Sequence, residues 1–512
     1  MTPCTYTNCL SYRYHEFTEH VQGATMKISK LEVLDEQEIK TIHQHTLEVL
    51  ADVGIRVELK KMRQLLADFG CKVDENEKRV KFKPNFVEEY IKKAPREFIL
   101  CGADPSLQWK IKPETQIFGG LGTPINISDL ETGEYRPTTL QDMTNHLVLF
   151  EYLDHVVSNQ MDIWPNDIPM HTIHVEAIRS WAKNCRKPFG MGAFGVMATR
   201  DMMEMMLLVA GGREAVRDQH PFATIVSIQS PLASIQAQLE GLMILAEYGQ
   251  PALVSPEAMA GTTAPVTLAG LLVQHNAEVL AHIVMAQAVN PGTPLLYGTV
   301  STVAEMKAGT TTLGAVETGL ISAACTQLAH FYDIPCRAVA GGTESKTFDI
   351  QCGVERVRTM MMTAMAGANY ITCVGTAEST TAGGHELAVI DNDLIGTVKR
   401  ALNGIEVTDD TLALDIIKKV GPGGTYITES HTLEHFKQEV YFSKIVDQDQ
   451  RETWEKGGQK GMLERARQEA LNILANHQEL ALDPKLLNEL DDYVKLAAAR
   501  SLDDFYAAEW EP

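Results

Sequence analysis

Eight short apolar runs, several of them entered through a proline, recur along the middle of the chain and leave few folds open to it. They are Ile117 to Ile125, Val156 to Trp164, Pro188 to Phe194, Pro221 to Ile228, Pro251 to Ser255, Pro294 to Val300, Pro335 to Gly341 and Tyr370 to Gly375. From the second onward their starts lie about 30 to 43 residues apart, the length that a βα unit occupies. The segments between them, such as Ile235 to Tyr248 and Leu313 to Tyr332, carry the apolar stripe of helices that pack on a sheet. Parallel strands covered on both faces read as unbroken apolar runs, so eight consecutive units predict an α/β chain of the (β/α)8 TIM-barrel type over residues 116–386. An open, doubly wound sheet also accommodates eight strands, but it expects a glycine-rich nucleotide fingerprint after the first, and none follows here.

The flanks read differently. From Asp35 to Gly54 the apolar positions Ile39, Ile42, Leu47 and Leu50 keep helical spacing, with Gly54 as a left-handed stop. A helix from Lys60 to Asp68, a hairpin over Lys72 to Phe82 and a helix over Asn85 to Lys93 complete an N-terminal α+β cap, residues 26–115. Beyond Leu387 the chain turns helical and charged, broken by Gly421-Pro422-Gly423-Gly424. Residues 387–512 are expected to form a helical extension that wraps the barrel or makes a subunit contact, and a homo-oligomer is expected. Residues 1–25 lack an apolar signal-peptide core, and Met26-Lys27-Ile28-Ser29 reads as a start, so the first 25 residues are left out of the fold.

Composition narrows the partners. A net charge of −22 repels nucleic acid and anionic membranes before any short-range contact forms. The 9 cysteines are scattered, with no CxxC pair and no zinc or disulfide spacing, which suits a reducing cytoplasm and names no metal ligand. No run of about 20 uninterrupted apolar residues occurs, since Leu268 to Val289 is broken by Gln274, His275, Asn276, Glu278 and His282. No GxSxG elbow, HExxH pair or Walker loop is present, so hydrolase, zinc-protease and P-loop chemistries lose their main support.

In a barrel the chemistry gathers at the C-terminal ends of the strands. There the sequence places Gly120 and Thr123, Asp162 and Trp164, Phe194, Gln229, Glu257, Tyr297 and Thr299, the run Gly341 to Lys346, and Gly375-Thr376 with Glu378. Trp164, Phe194 and Tyr297 present rings whose faces attract a quaternary ammonium by about 0.5 to 2 kcal/mol each, and equally can close the barrel as core. The acidic side chains can serve as counter-charges, acids or bases, or as caps of the following helices.

The run Gly341-Gly342-Thr343-Glu344-Ser345-Lys346-Thr347-Phe348-Asp349-Ile350-Gln351-Cys352-Gly353-Val354-Glu355 resembles the signature of the trimethylamine methyltransferase family and its non-pyrrolysine members. Thr262 to Thr267, Tyr297-Gly298 and Gly319 to Ala324 add to the resemblance, which extends from about Met26 to Leu490. It implies a (β/α)8 barrel that demethylates methylamines or quaternary amines while a corrinoid protein presents cobalamin at the barrel mouth, with no cofactor bound tightly by the chain itself. Founding members carry pyrrolysine after strand seven, where this chain has Lys346-Thr347-Phe348-Asp349.

Ordinary residues there shift the expected substrate. A quaternary ammonium leaves as a neutral amine and needs positioning more than activation. Its charge vanishes along the path, so a carboxylate in direct contact would favour the ground state over the transition state. Aromatic walls and neutral dipoles suit it better, and a betaine carboxylate adds a need for donors such as Gln229, Gln351, Thr343, Lys346 or His385. Together these readings take Glu344, Phe348 and Gln351 as candidate catalytic residues. Trp164, Phe194, Gln229, Glu257, Tyr297, Thr343, Glu378 and His385 are the candidate substrate-binding residues. The alternatives are a barrel resembling uroporphyrinogen decarboxylases or other corrinoid-linked enzymes, and a non-catalytic ligand-binding barrel.

Overall fold

The structure, a computed structural model, describes residues 27–28, 30–161, 163–193 and 195–509. Residues 1–25, the start expected at Met26, and the candidates Asp162 and Phe194 lie outside the described residues.

Six of the eight apolar runs pair into one parallel sheet: β1 (Ile117–Gly120), β2 (Thr224–Ile228), β3 (Ala252–Pro256), β4 (Leu295–Thr299), β5 (Cys336–Val339) and β6 (Tyr370–Val374). Their spatial order is β1-β6-β5-β4-β3-β2. The strands of β3, β4 and β6 are buried at every position, which is why their sequences show no polar alternation.

The second and third runs make isolated bridges rather than ladders. Beside β1, the Val157 amide donates to the Phe118 carbonyl (2.7 Å) and the Gly120 amide to that of Ser158 (3.1 Å). Beside β2, amides of Ala223 and Ile225 donate to the carbonyls of Phe189 (3.0 Å) and Met191 (3.0 Å). Between these two segments, the Asn159 amide reaches the Pro188 carbonyl at 3.1 Å. The second run ends early because Met161 takes a left-handed φ of 48°, and Pro188 opens the third without an amide to donate.

Helices follow the strands and cover one face of the sheet, among them α1 (Leu268–Val289), α2 (Val316–Phe331), α3 (Ile350–Ala366) and α4 (His385–Leu402). Asp349 caps α3 by accepting the Cys352 amide, and Gly367 ends it in the left-handed conformation. Among the described residues α1 is the one helix long and apolar enough to cross a membrane, yet most of it is buried against the cap and the sheet. The opposite face is plugged near the strand N-termini by a hairpin, Phe98–Cys101 paired with Gln108–Ile111, whose Phe98, Leu100 and Ile111 pack on Leu253, Leu296 and Tyr370.

The cap contains the expected helix Lys60–Asp68 and the hairpin of Lys72–Asp74 with Arg79–Lys81. Its strand Ile55–Val57 also pairs in parallel with Ala233–Ser234, which ties the cap to the turn after β2. At the other end α4 runs straight across the boundary expected at 386/387. Helices Met462–Asn476 and Pro484–Ala498 then pack back on α4 and on the helices Ile173–Asn184 and Gly195–Ala210.

Candidate active site

Alternation along the strands sorts the sheet into a helix-covered face and a helix-free face. Leu253, Leu296 and Tyr370 share the helix-free face near the strand starts, and toward the C-terminal ends that face turns polar. Arg337 of β5, 1% exposed, donates from Nη1 to the Thr299 carbonyl at 3.2 Å. On the intervening strand, Gly298 has no room for more: an added Cβ would come within 2.1 Å of Ser255 Oγ and 2.6 Å of the Val254 carbonyl.

Glu257, the first residue past β3, keeps an exposed surface, yet burial raises its carboxyl above the usual range, against a Ser227 hydrogen bond and the Arg337 charge. Accessibility together with desolvation describes a side chain that lines a recess, open on one side and walled by protein on the others. Gln229, two residues beyond Ser227, is exposed at the end of β2. A cation from β5 thus shares the helix-free face with a hydroxyl near the end of β2, a carboxyl just past β3 and an amide just past β2. Such a set can orient a small polar ligand by hydrogen bonds.

A second cluster forms in the loops after β5 and β6. Glu344 Oε1 accepts the Gly314 amide (2.8 Å) and the Ser379 hydroxyl (3.1 Å). Glu355 Oε2 accepts the Thr343 hydroxyl (2.6 Å) and the Glu344 amide (3.0 Å). Burial first, and then the neighbouring Glu355 charge, raise the Glu344 carboxyl above its ordinary value despite those donors. Ser379 belongs to a run of three non-glycine residues with positive φ, Glu378 (50°), Ser379 (51°) and Thr380 (75°). Left-handed backbone costs roughly 1 to 2 kcal/mol per such residue, and strain of this kind gathers at functional loops.

Behind the loops, Arg356 of α3 and Asp391 of α4 form a fully buried bidentate pair. Arg356 also donates to the Thr376 carbonyl, and Asp391 accepts the Gly375 amide at 2.8 Å, so the pair clamps the end of β6. Burial works against its charge, but Asp391 holds the Arg356 guanidinium above its usual range, and the bidentate geometry is that of an ionised pair.

The sequence-predicted residues are not all brought together. Tyr297 requires a correction: it points to the helix-covered face, without exposed surface, and its hydroxyl donates to Asn276 Oδ1 of α1 at 2.9 Å. Its ring lies 5.7 Å from that of His275 and 6.3 Å from that of Tyr332, so it cannot wall the strand ends, and the three-ring cage loses this member. In the run Leu295-Leu296-Tyr297-Gly298-Thr299, buried on both faces, no period-two signal tells which side the tyrosine takes.

Trp164 is half-buried against the main core, its amide donating to the Pro124 carbonyl at 2.9 Å. Phe348 packs with Cys352, Ala377 and Leu387 over Gly384, away from Glu257 and Arg337. Gln351 is exposed on the first turn of α3 and hydrogen-bonds Glu355 Oε1 at 3.0 Å. Thr343 is buried in the Glu344 cluster, and Glu378 is half-buried in the strained turn.

His385 opens α4 as a buried residue, its Nδ1 at 3.4 Å from Nδ1 of His146 and its Nε2 at 3.9 Å from Asp142. Gly375 makes space for His146, since a Cβ there would lie 2.7 Å from the imidazole.

Sequence reasoning missed Ser227, Arg337, Glu355 and Ser379. For Ser227 the signal was available, because it shares a face with Gln229 by period two. Glu355 and Ser379 reach Glu344 through tertiary folding alone.

Comparison with known proteins adds the lineage. A family model described as trimethylamine methyltransferase (MTTB) matches residues 10–500. A glycine betaine methyltransferase of Desulfitobacterium hafniense (strain Y51) is 33% identical over 470 residues, covering 91% of this chain and 97% of its own. A trimethylamine methyltransferase MttB of D. hafniense (strain DSM 10664 / DCB-2) is also 33% identical, over 460 residues, covering 90% and 92%. Among solved structures, the monomethylamine methyltransferase MtmB of Methanosarcina barkeri covers 90% of this chain and 97% of its own at 14% identity, with a TM-score of 0.44.

Proposed function

The chain belongs to the trimethylamine methyltransferase family, and from that premise we propose that this methyltransferase moves a methyl group from a betaine-type quaternary amine to the cob(I)alamin of a corrinoid protein. The observation that carries the reading is the loop from Gly341 to Gln351, which holds only ordinary residues and offers no electrophile to activate an uncharged amine. A quaternary ammonium needs none: its C–N bond breaks as the methyl carbon is taken by the acceptor, the bonding pair stays on nitrogen, and a neutral tertiary amine leaves. The chain's own task is then to position the substrate and keep water away from it.

The recess of Ser227, Gln229, Glu257 and Arg337 supports this reading. Arg337 and the Gln229 amide are donors for a substrate carboxylate, and the muted charge of Glu257 avoids overstabilising the ammonium in the ground state. The two bridged segments between β1 and β2 support a closed eight-stranded barrel, with the recess at its mouth.

Large apolar side chains stand exposed past the strands, Val266 at 70% and Met306 at 66% on loops and Ile350 at 86% at the start of α3, and the first two lie side by side near Gly261. Such a rim suits a protein that presents the methyl acceptor there. The cytoplasm fits the seven buried free thiols among the described residues.

The test mixes the full chain with reduced cobalamin and, in turn, glycine betaine, proline betaine, carnitine and trimethylamine, following cobalamin methylation by absorbance. Turnover with at least one quaternary amine and none with trimethylamine is expected. Efficient trimethylamine demethylation would overturn the reading.

A further inference from the structure

We propose that Asp410, His431 and His435 form a site for a divalent first-row transition ion, zinc in the simplest case, that staples the outermost lobe of the chain. The cysteine spacing of the chain offers no metal site; this one is made of imidazole and carboxylate instead.

Between Leu402 and Ile445 no residue is buried, and neither the helix Leu414–Val420 nor α5 (Ser430–Glu439) buries a side chain. A lobe of this size with no core of its own holds a defined shape only if something cross-links it. Asp410 and α5 lie on opposite sides of the glycine-rich turn at 421–424, so a bond between them would close the lobe.

The ligand atoms are already gathered. His431 and His435 are four residues apart on α5, which puts both imidazoles on one side of the helix, one turn apart. Their rings lie 4.2 Å from each other. His435 Nε2 is 3.1 Å from Asp410 Oδ2, and His431 Nε2 is 3.2 Å from the Asp410 backbone carbonyl. One ligand atom from each of the three residues lies within 4.8 Å of the other two.

Zinc bound at about 2.0 to 2.2 Å in a tetrahedral set holds its ligands roughly 3.4 Å apart. The three atoms must therefore close by on the order of 1 Å, a movement that side-chain rotation of partly exposed residues supplies. The turn that carries Asp410 is fixed independently of any ion. The Thr408 and Thr411 hydroxyls each accept the other's amide (2.8 and 3.1 Å), and the Asp410 carbonyl accepts the Ala413 amide at 3.0 Å. Two imidazoles and one carboxylate are a first-row transition-metal donor set rather than a magnesium or calcium set, and three protein ligands leave the fourth position to water.

The experiment titrates the full chain, stripped with EDTA, with Zn2+ by calorimetry and with Co2+ by visible absorption. We expect one saturable ion per chain with a Kd on the order of 1 μM or tighter, and four-coordinate Co2+ bands. His431→Ala and His435→Ala should each weaken binding by more than about a hundredfold, beyond the loss typical of an outer-shell change, while His45→Ala leaves it unchanged. Zn2+ should also slow trypsin cleavage within residues 403–444 of the wild type and have no such effect on the double variant. Absence of one-to-one binding, or binding insensitive to both histidine substitutions, would overturn the proposal and leave His435 and Asp410 as a plain surface ion pair.

Discussion

The carboxylates of Glu344 and Glu355 meet across Gly314, where an added Cβ would lie 2.8 Å from an oxygen of each. Two like charges share one loop cluster there, and the Glu344 carboxyl is raised by burial and by that neighbour. A folded-state pKa above the unfolded one means that the folded state is penalised once pH rises past the unfolded value. Glu344→Gln keeps an acceptor for the Gly314 amide and the Ser379 hydroxyl while removing the repulsion. Its melting temperature should therefore exceed that of the wild type, by a margin that widens as pH rises from 4 to 7. Methyl transfer should fall at least tenfold, the exchange of stability for activity that a strained functional loop implies. A variant both more stable and fully active would assign the cluster to architecture alone.

Arg356 and Asp391 should behave as one unit. Arg356→Met leaves a carboxylate fully buried without its counter-charge, and breaking such a pair costs about 3 to 5 kcal/mol. Arg356→Met with Asp391→Leu removes both charges and should recover much of that loss in urea titrations. If the double variant is as unstable as the single one, the charges are not what clamps Gly375 and Thr376.

Most of the fold was legible because parallel strands and their helices write long, simple patterns. The runs Pro221 to Ile228, Pro251 to Ser255, Pro294 to Val300, Pro335 to Gly341 and Tyr370 to Gly375 match the paired strands within a few residues. The second and third runs carried the same apolar signal without forming ladders, since Met161 leaves the extended region and Gly190 brings the backbone close to its neighbour, where a Cβ would meet the Ala223 carbonyl at 2.1 Å. The site was legible in outline, as strand ends, but not in face. Tyr297 stands in the middle of β4 and Glu257 just past the end of β3, and only the alternation of the folded sheet sends one to the helices and the other to the recess. The hairpin plug at Phe98 to Ile111 left no signal beyond two short apolar stretches, because most of its partners, among them Leu253, Leu296 and Tyr370, come from strands more than a hundred residues away.

Buried histidines set the acid limit of the fold. Burial lowers His275 to about 3 and His282 to about 4, from an ordinary 6.5. As pH falls the unfolded chain takes these protons first, so stability present above pH 6.5 drains away down to the folded values. At pH 5 the loss is roughly 2 kcal/mol for each. Glu278 on the same helix works the other way: burial raises it to about 7, so its contribution is present at low pH and lost as pH rises through 7. His282→Gln should shrink the difference in unfolding free energy between pH 7.5 and pH 5 by about 2 kcal/mol, whereas Glu278→Gln should enlarge it by a similar amount. Identical pH profiles for the three proteins would show that these groups titrate alike in both states.

Tyr297 and Glu257 separate a substrate recess from a packed core by experiment. Tyr297→Phe deletes a hydroxyl that is buried against Asn276, and an acceptor left without its donor costs about 1 to 3 kcal/mol of stability. Because that ring faces α1, KM and kcat for the quaternary amine should stay within about twofold of the wild type. Glu257→Gln keeps the shape of a side chain with exposed surface and removes a raised carboxyl, so, as for Glu344, the fold should be no less stable near pH 7. Its kcat/KM should fall about tenfold, near 1.4 kcal/mol of lost transition-state stabilisation. Gln229→Ala should raise KM with little change in kcat, as the loss of a positioning amide does. The reverse pattern, with Tyr297→Phe crippling turnover while Glu257→Gln and Gln229→Ala leave it intact, would move the substrate out of the helix-free recess and undo the assignment.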